Sequence, residues 1–444
     1  MIDDEEHSLI SRRVIRSSNF RSKHFQCRQS LLTELFEKTD ISILWNLFLA
    51  FFLLLHLLTI IVDYLSTGNP FDHLWLITWN FSYFPQTMFV WCLMAISILI
   101  PYYILKFWSD IPSKEINFLQ QLPFFFIYFF YLILFFILSL NFIFKMRLKC
   151  ACTFIITCEN TRIAMKIHSF IRETFPLDIT DEIQFPTVSQ LYYYFFCPSF
   201  IYRDNYPQTA KRSWKTILIY FLQIIAIILF VNLIFIQMII PNFAKIPCST
   251  MNFAEFIQRI IISILPGFFC LLSLFYGLLH CWLNMFAEIL YFGDRQFYSN
   301  WWFSKNMAEY YRNWNLVVHD WLYTYIYKDI AIVVGGKTGL IIAQIIVFFI
   351  SALFHEYWFG VALRFFYPVM FVLYFVFGGI FFLISRFIRN LFVWNTIMWM
   401  NLLVGTGIFV ALYSQEWYAR QRCSPLFDNA FLDFIIPRHL WFSE

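Results

Sequence analysis

Charge is scarce in this chain. Asp, Glu, Lys and Arg make up 14% of 444 residues, against about 25% in soluble domains. A water-soluble fold is excluded, because 60% of the residues are hydrophobic and 23% aromatic, with 59 Phe. Surface shrinks too slowly with size to hide that much apolar side chain, so lipid must cover the rest. A cleavable secretory leader is also missing. Residues 1–43 are polar, and the first apolar run is long enough to span and lacks a small-residue cleavage pattern. It is expected to remain as a signal anchor. None of the ten cysteines forms a C-x-x-C pair, Cys150 and Cys152 stand too close together to chelate jointly, and no His joins them at a zinc spacing. No metal is expected, and most cysteines read as reduced packing residues. There is no P-loop, no G-x-S-x-G and no H-E-x-x-H, so hydrolase and metalloprotease readings find no support. Gly335-Gly336-Lys337-Thr338-Gly339 lacks the first Gly of a phosphate loop and opens an apolar run; it reads as a turn. No internal repeat supports a transporter built from inverted halves. The net charge of +4 is unremarkable, and no nucleic-acid partner is expected.

Long apolar runs are what the sequence does have. A hydrocarbon core about 30 Å thick needs about 20 apolar residues as helix. Residues 44–65, 84–105, 122–144, 214–240, 260–292, 339–361, 365–385 and 394–413 qualify. Arg12, Arg13, Arg16, Arg21, Lys23, Arg28 and Lys38 precede the first run, and the loop 66–83 has no Lys or Arg. The positive-inside rule then places the N-terminus in the cytosol. Arg162, Lys166, Arg172, Arg203, Lys211, Arg212 and Lys215 make 159–215 cytosolic too, which requires an irregular fourth crossing near 146–165. Lys145, Arg147 and Lys149 fall on the less favoured side of that count. About nine crossings follow, in an all-α polytopic bundle. The expected organisation is a cytosolic polar segment 1–43, a membrane domain 44–413 with cytosolic loops near 159–213 and 293–338, and a lumenal tail 414–444. Pro176, Pro186, Pro198 and Pro207 make 159–213 a folded loop with short helices.

Three stretches carry candidate chemistry. His355 stands in SALFHEYWFGVALRFFYP (351–368), within a segment of spanning length. A charge at the bilayer centre costs roughly 2.5–3.5 kcal/mol, and such residues are functional by default. A neutral imidazole costs less, which leaves His355 a neutral base; the plain alternative is a packing histidine. In YYRNWNLVVHDWLYTY (310–325), Asn315 and His319 lie four apart on one helix face with Tyr311 and Leu322. That face either lines a cavity or lies on the headgroups. FGDRQFYSNWWFS (292–304) opens on a turn and continues into aromatics. Phe297, Tyr298, Trp301, Trp302 and, further on, Trp314 suit a membrane interface. An adenine could stack there with Arg295 on phosphate, although an aromatic belt is the simpler reading.

Together these pieces resemble the membrane-bound O-acyltransferase family, and within it the sterol O-acyltransferase branch. The resemblance runs from about residue 28 to 435 through ENTRIAMKIHSFIRE (159–173), FPTVSQLYYYFFCPSFIYRDNYP (185–207), LLHCWLNMFAEILYFGDRQFYSNWW (278–302), YYRNWNLVVHDWLYTYIYKD (310–329), HEYWFGVALRFFYPV (355–369) and YSQEWYAR (413–420). It implies that His355 matches the family's catalytic histidine and Asn315 the asparagine beside it. It implies that 297–303 matches the F-Y-x-D-W-W-N motif linked to acyl-CoA use, with Phe297, Tyr298, Trp301 and Trp302 retained. Asn300 and Phe303 depart from that motif. Trp314 and His319 are further candidates at the substrate mouth. The implied reaction joins a long-chain acyl group from acyl-CoA, a co-substrate rather than a cofactor, to a sterol hydroxyl. The rivals are a diacylglycerol acyltransferase and a member impaired in catalysis. An endoplasmic reticulum location and a homodimer or higher oligomer are implied too. The family's lumenal tail carries two cysteines in a disulfide. Here the tail has Cys423 alone, either free or paired with Cys248.

Overall fold

In hydrocarbon every backbone N–H and C=O must find a partner within the protein, so apolar runs become helices. The computed structural model describes residues 20–40, 42–109, 118–175, 185–245, 248 and 252–440. The acidic cluster at 3–6, the first basic residues, Pro176 and the final four residues lie outside them. Seven helices among the described residues are long and apolar enough to cross a membrane: Trp45–Thr67, Asp72–Ser109, Gln121–Lys145, Trp214–Phe243, Phe253–Ile289, Gly336–Leu363 and Leu391–Arg422. Among the described residues, extended pairing is confined to two isolated bridges, Arg28 with Asp294 and Gln208 with Phe292. The chain is a polytopic all-α membrane protein.

The other two expected crossings take different forms. The run 365–385 loses its first residues to a turn, because Arg364 ends the preceding helix at φ 62° and Pro368 starts the next. What remains is the helix Val369–Ile384, about 24 Å long at 1.5 Å per residue. The weak fourth crossing is a continuous helix, Cys150–Thr174, whose buried residues include Thr153, Thr157, Asn160, Lys166 and Ser169. It packs against Phe84–Ser97, Phe118–Lys145 and Gly336–Leu363. It is therefore an interior helix, polar because protein rather than lipid surrounds it. This corrects the expectation of a loop from 159. No proline falls between Cys150 and Pro176, so the helix runs on to Thr174.

Lys166 fixes the segment that follows. Its ammonium is buried and donates to three carbonyls, those of Tyr194 (2.6 Å), Cys197 (2.8 Å) and Ser199 (2.8 Å). Three donors meet three acceptors, with no carboxylate in the grip. The short helix Val188–Phe196 begins with a capping box between Thr187 and Gln190.

Phe253–Leu274 lies along Leu391–Arg422 in the most extensive helix pair. Glycine permits the approach. A Cβ at Gly267 would stand 2.6 Å from the Thr406 carbonyl oxygen, and one at Gly407 would stand 3.1 Å from that of Ile260. Small residues let membrane helices close on each other in this way. At the end of the last helix, Cys423 forms a disulfide with Cys248 across a Cα–Cα distance of 5.7 Å. Beyond it the tail folds back. Arg438 makes a bidentate pair with Asp433 at 2.9 and 2.7 Å, and His439 donates to the buried Glu416 at 2.8 Å.

Residues 20–38 form a strap over the opposite surface. The Arg28 amide donates to Gly293 and the Arg295 amide to Arg28, at 3.0 and 3.1 Å. The Arg28 guanidinium grips buried Asp294 through both oxygens. The helix Leu31–Lys38 follows.

Gly267→Val should lower the thermal unfolding midpoint of the detergent-solubilised protein, read by tryptophan fluorescence. Overpacking of this kind costs about 1–3 kcal/mol. An unchanged midpoint would mean that the two helices part freely.

Candidate active site

The helix bearing His355 starts at a glycine pair. Gly335 and Gly336 both hold positive φ, at 75° and 62°, a conformation open to glycine at little cost. The following apolar residues extend the helix without a break to Leu363. Near its end the His355 Nδ1 lies 2.7 Å from the carbonyl oxygen of Ser351, one turn back. A carbonyl can only accept, so Nδ1 carries the proton. In the neutral ring the lone pair then sits on Nε2, which has no hydrogen bond among the described residues. The imidazole ring is held on two sides. Tyr374 stacks on it at 4.8 Å and 22°, and Trp358 leans on it at 4.8 Å. Trp358 is itself fixed by donation from its indole to Thr161 on the interior helix, at 2.9 Å.

Glu356 anchors the same turn from the other side. It is buried, and its Oε2 accepts from the Phe371 amide at 3.1 Å. Its Oε1 accepts from the Tyr413 hydroxyl at 3.0 Å. These bonds tie the histidine helix to the start of Val369–Ile384 and to the last membrane helix. Tyr374 lies in a π-helical stretch, Val372–Phe377, a geometry that recurs at functional sites.

The second candidate stretch does not form a single helix. Met307–Trp314 ends, and Leu316–Leu322 begins, at Asn315, whose backbone is extended at φ −142°. The Asn315 Oδ1 caps the second helix by accepting from the Val318 amide at 3.1 Å. This corrects the expectation of one face shared by Tyr311, Asn315, His319 and Leu322. Asparagine favours a cap over a helix interior because its side chain competes for backbone donors. With Oδ1 engaged, the amide NH2 is the group left to act. His319 stays half-exposed beside Asp320, which pairs with Lys23 of the strap at 2.8 Å. Burial alone would push the Asp320 carboxyl up. The His319 hydrogen bond and the Lys23 ammonium outweigh it and hold the carboxyl below its ordinary value.

The aromatic stretch is core rather than surface. Phe297, Tyr298 and Trp301 are 1%, 1% and 2% exposed. Trp301 packs between Phe275 and Trp314 at 5.0 and 4.6 Å, so an adenine has no open ring face to stack on there. Trp302 and Trp314 are half-buried. Arg295 is paired with Glu288 at 2.6 Å, so it is not a free phosphate ligand. The two departures from the family motif, Asn300 and Phe303, are exposed. The aromatic framework therefore stands without them.

Tyr311 joins the two halves of the site. Its ring meets Phe348, two turns before His355, at 4.9 Å. Its hydroxyl lies against Gly378, just past the π-helical stretch that holds Tyr374; a Cβ at that glycine would collide with it. Asn315 lies one turn after Tyr311. Among the described residues no hydrogen bond or ring contact joins His355 directly to Asn315. Sequence reasoning missed Tyr374, Trp358, Thr161 and the Glu356–Tyr413 pair. Tyr413 stands in YSQEWYAR, Glu356 and Trp358 follow His355, and Thr161 stands in ENTRIAMKIHSFIRE, so all four lay within the quoted motifs without a role; Tyr374 gave no signal. Among the described residues no three His, Cys, Asp or Glu side chains converge as a metal site.

The pattern describing the membrane-bound O-acyltransferase family matches residues 38–415. The chain belongs to that family. It is 38% identical over 433 residues to sterol O-acyltransferase 1 of Mus musculus, covering 96% of this chain and 80% of that protein. The Cricetulus griseus protein of the same name is 39% identical over 433 residues, covering 96% and 79%. Sterol O-acyltransferase 2 of Homo sapiens is 35% identical over 423 residues, covering 94% and 80%. Membership makes the chain an acyltransferase of the membrane, in keeping with its apolar helices.

Glu356→Leu should leave the Tyr413 hydroxyl and the Phe371 amide unpaired, at about 1–3 kcal/mol for each buried group. Both acyl transfer and the unfolding midpoint should drop, whereas Glu356→Gln, which keeps an acceptor, should lose less of each. Equal losses in the two variants would show that hydrogen bonding at this position is not what matters.

Proposed function

We propose that this chain is a sterol O-acyltransferase, moving a long-chain fatty acyl group from acyl-CoA to a sterol hydroxyl to give a steryl ester for storage. The observation that carries the reading is the geometry of His355: a ring inside a membrane helix, its Nδ1 committed to the Ser351 carbonyl and its Nε2 without a hydrogen bond among the described residues. Relatives named sterol O-acyltransferase, matched over nearly the whole chain, support the choice of acceptor.

In this mechanism the sterol oxygen attacks the thioester carbon while Nε2 of His355 takes the hydroxyl proton, as a general base. The C–S bond breaks and CoA leaves as thiolate, which can regain that proton from the imidazolium. A thiolate leaves readily, so no acyl-enzyme is required. The Asn315 NH2 donates to the carbonyl oxygen as charge builds on it. The buried rings of Phe297, Tyr298 and Trp301 shape the site from behind, and Trp302, Trp314 and His319 flank the substrate mouth. The sterol arrives through the bilayer, and soluble CoA requires an opening to the cytosol. Asn300 and Phe303, being exposed, bear on the rim rather than on the chemistry.

The same reading places the protein in the endoplasmic reticulum membrane as a homodimer or larger oligomer, with its N-terminus cytosolic and its tail lumenal. The Cys248–Cys423 bond supports a lumenal tail, because disulfides persist in oxidising compartments. A mobility shift on non-reducing gels should distinguish native protein from Cys248→Ser; identical mobility would leave both thiols free.

The deciding assay supplies purified protein with labelled oleoyl-CoA and offers cholesterol and diacylglycerol in parallel. Steryl ester from the native protein and none from His355→Ala, at equal abundance and oligomer size, is the expected result. Turnover by His355→Ala would remove the base. Acylglycerol as sole product would move the chain to a diacylglycerol acceptor.

A further inference from the structure

We propose that Ser30, on the N-terminal strap, is a positioning residue for acyl transfer, acting through Tyr298 on the junction that presents Asn315. The inference rests on the role given above to Asn315.

Ser30 is 1% exposed. Its hydroxyl lies 2.9 Å from the Tyr298 hydroxyl and 3.1 Å from Nδ1 of His280, on the helix Phe253–Ile289. The Tyr298 hydroxyl is 2.7 Å from the same nitrogen. The Asn284 amide, which can only donate, also faces Nδ1 at 3.4 Å, so Nδ1 holds the lone pair. Tyr298 therefore donates to His280, and its oxygen is free to accept from Ser30. The strap thus meets the helix Phe253–Ile289 and the stretch 297–299 from about 250 residues away in sequence, with all members of the cluster buried.

Tyr298 is the link to the reaction centre. Its neighbours pair with the backbone on either side of Asn315: the Ser299 amide donates to Asn313 at 2.8 Å, and the Leu316 amide donates to Phe297 at 2.9 Å. Residues 297–299 thus brace 313–316. The extended backbone of Asn315, and hence the aim of its amide, depends on where Tyr298 is held. Two further contacts dock the strap on the same region, Arg28 on Asp294 and Lys23 on Asp320. Phe297 and Tyr298 then serve by bracing the junction, and the strap is a working part of the site.

The test uses the full chain in lipid nanodiscs, comparing native protein with Ser30→Ala, Ser30→Thr, Tyr298→Phe and the Ser30→Ala/Tyr298→Phe double variant. Hydrogen exchange at the Ser299 and Leu316 amides is read beside kcat and the KM for oleoyl-CoA. Loss of one buried hydrogen bond should speed exchange at both amides about tenfold in Ser30→Ala and lower kcat by about the same factor, with KM within about twofold. Ser30→Thr, which keeps the hydroxyl, should restore both readouts. The double variant should match Tyr298→Phe alone, because both changes break one chain of contacts. Unchanged exchange, unchanged kcat despite faster exchange, additive losses, or a threonine variant no better than alanine would each overturn the proposal. Should Ser30→Ala fail to fold, Arg28→Gln loosens the same strap from Asp294 and takes its place. If native protein turns over no acceptor, the sterol reading and the role of Ser30 in acyl transfer both fall; turnover of diacylglycerol alone removes the sterol reading and leaves this one to kcat and amide exchange.

Discussion

Polar groups in this protein must satisfy one another, because lipid offers them nothing. Lys166 shows the constraint most plainly. A cation on an interior helix has no carboxylate in its grip, so it draws three carbonyls around itself, and that act folds the segment 185–207 onto the helix. Glu356 does the same with opposite sign, gathering an amide and a phenol from two neighbouring helices. Glu416 gathers Arg420 and His439. An unpaired group of this kind in hydrocarbon would cost several kcal/mol. Polar residues therefore help decide which helices touch, beside the close glycine contacts of Phe253–Leu274 with Leu391–Arg422, while apolar runs decide that helices form.

That division explains what could be read from the sequence. Periodic and continuous apolar runs gave the membrane class and seven of the long helices, since length and hydropathy are local properties. Cys150–Thr174 was misjudged after residue 159, because a polar helix inside a protein and a polar loop in the cytosol have similar compositions. Val369–Ile384 came out shorter than its apolar run, because Pro368 and the left-handed Arg364 set its start. The break at Asn315 has a sequence rationale, asparagine as cap, yet the surrounding residues also fit one helix.

The site was legible in part for the same reason. His355 and Asn315 stand out as polar residues among apolar and aromatic ones, and motif resemblance gives them roles. What holds them could not be read. The stacking of Tyr374 on His355 depends on a π-helical stretch, which changes the phase of the side chains. The indole of Trp358 reaches Thr161, 197 residues away in sequence. The aromatics at 297–301 read as an interfacial belt, or less simply as a stacking platform, and are instead buried as the wall behind the junction, because their rings pack on one another and on Phe275 and Trp314.

The disulfide has a consequence for how the protein is made. Cys248 and Cys423 are 175 residues apart, and the ring they close contains the histidine helix, the Asn315 junction and the buried aromatics. Synthesis proceeds from the N-terminus, so Cys248 must wait as a thiol until the last membrane helix has been threaded. The bond can form only if both cysteines emerge on the same face of the bilayer. Its closure therefore certifies that an even number of crossings lies between them, and a chain with one helix left out or inverted would carry two stranded thiols for quality control to find.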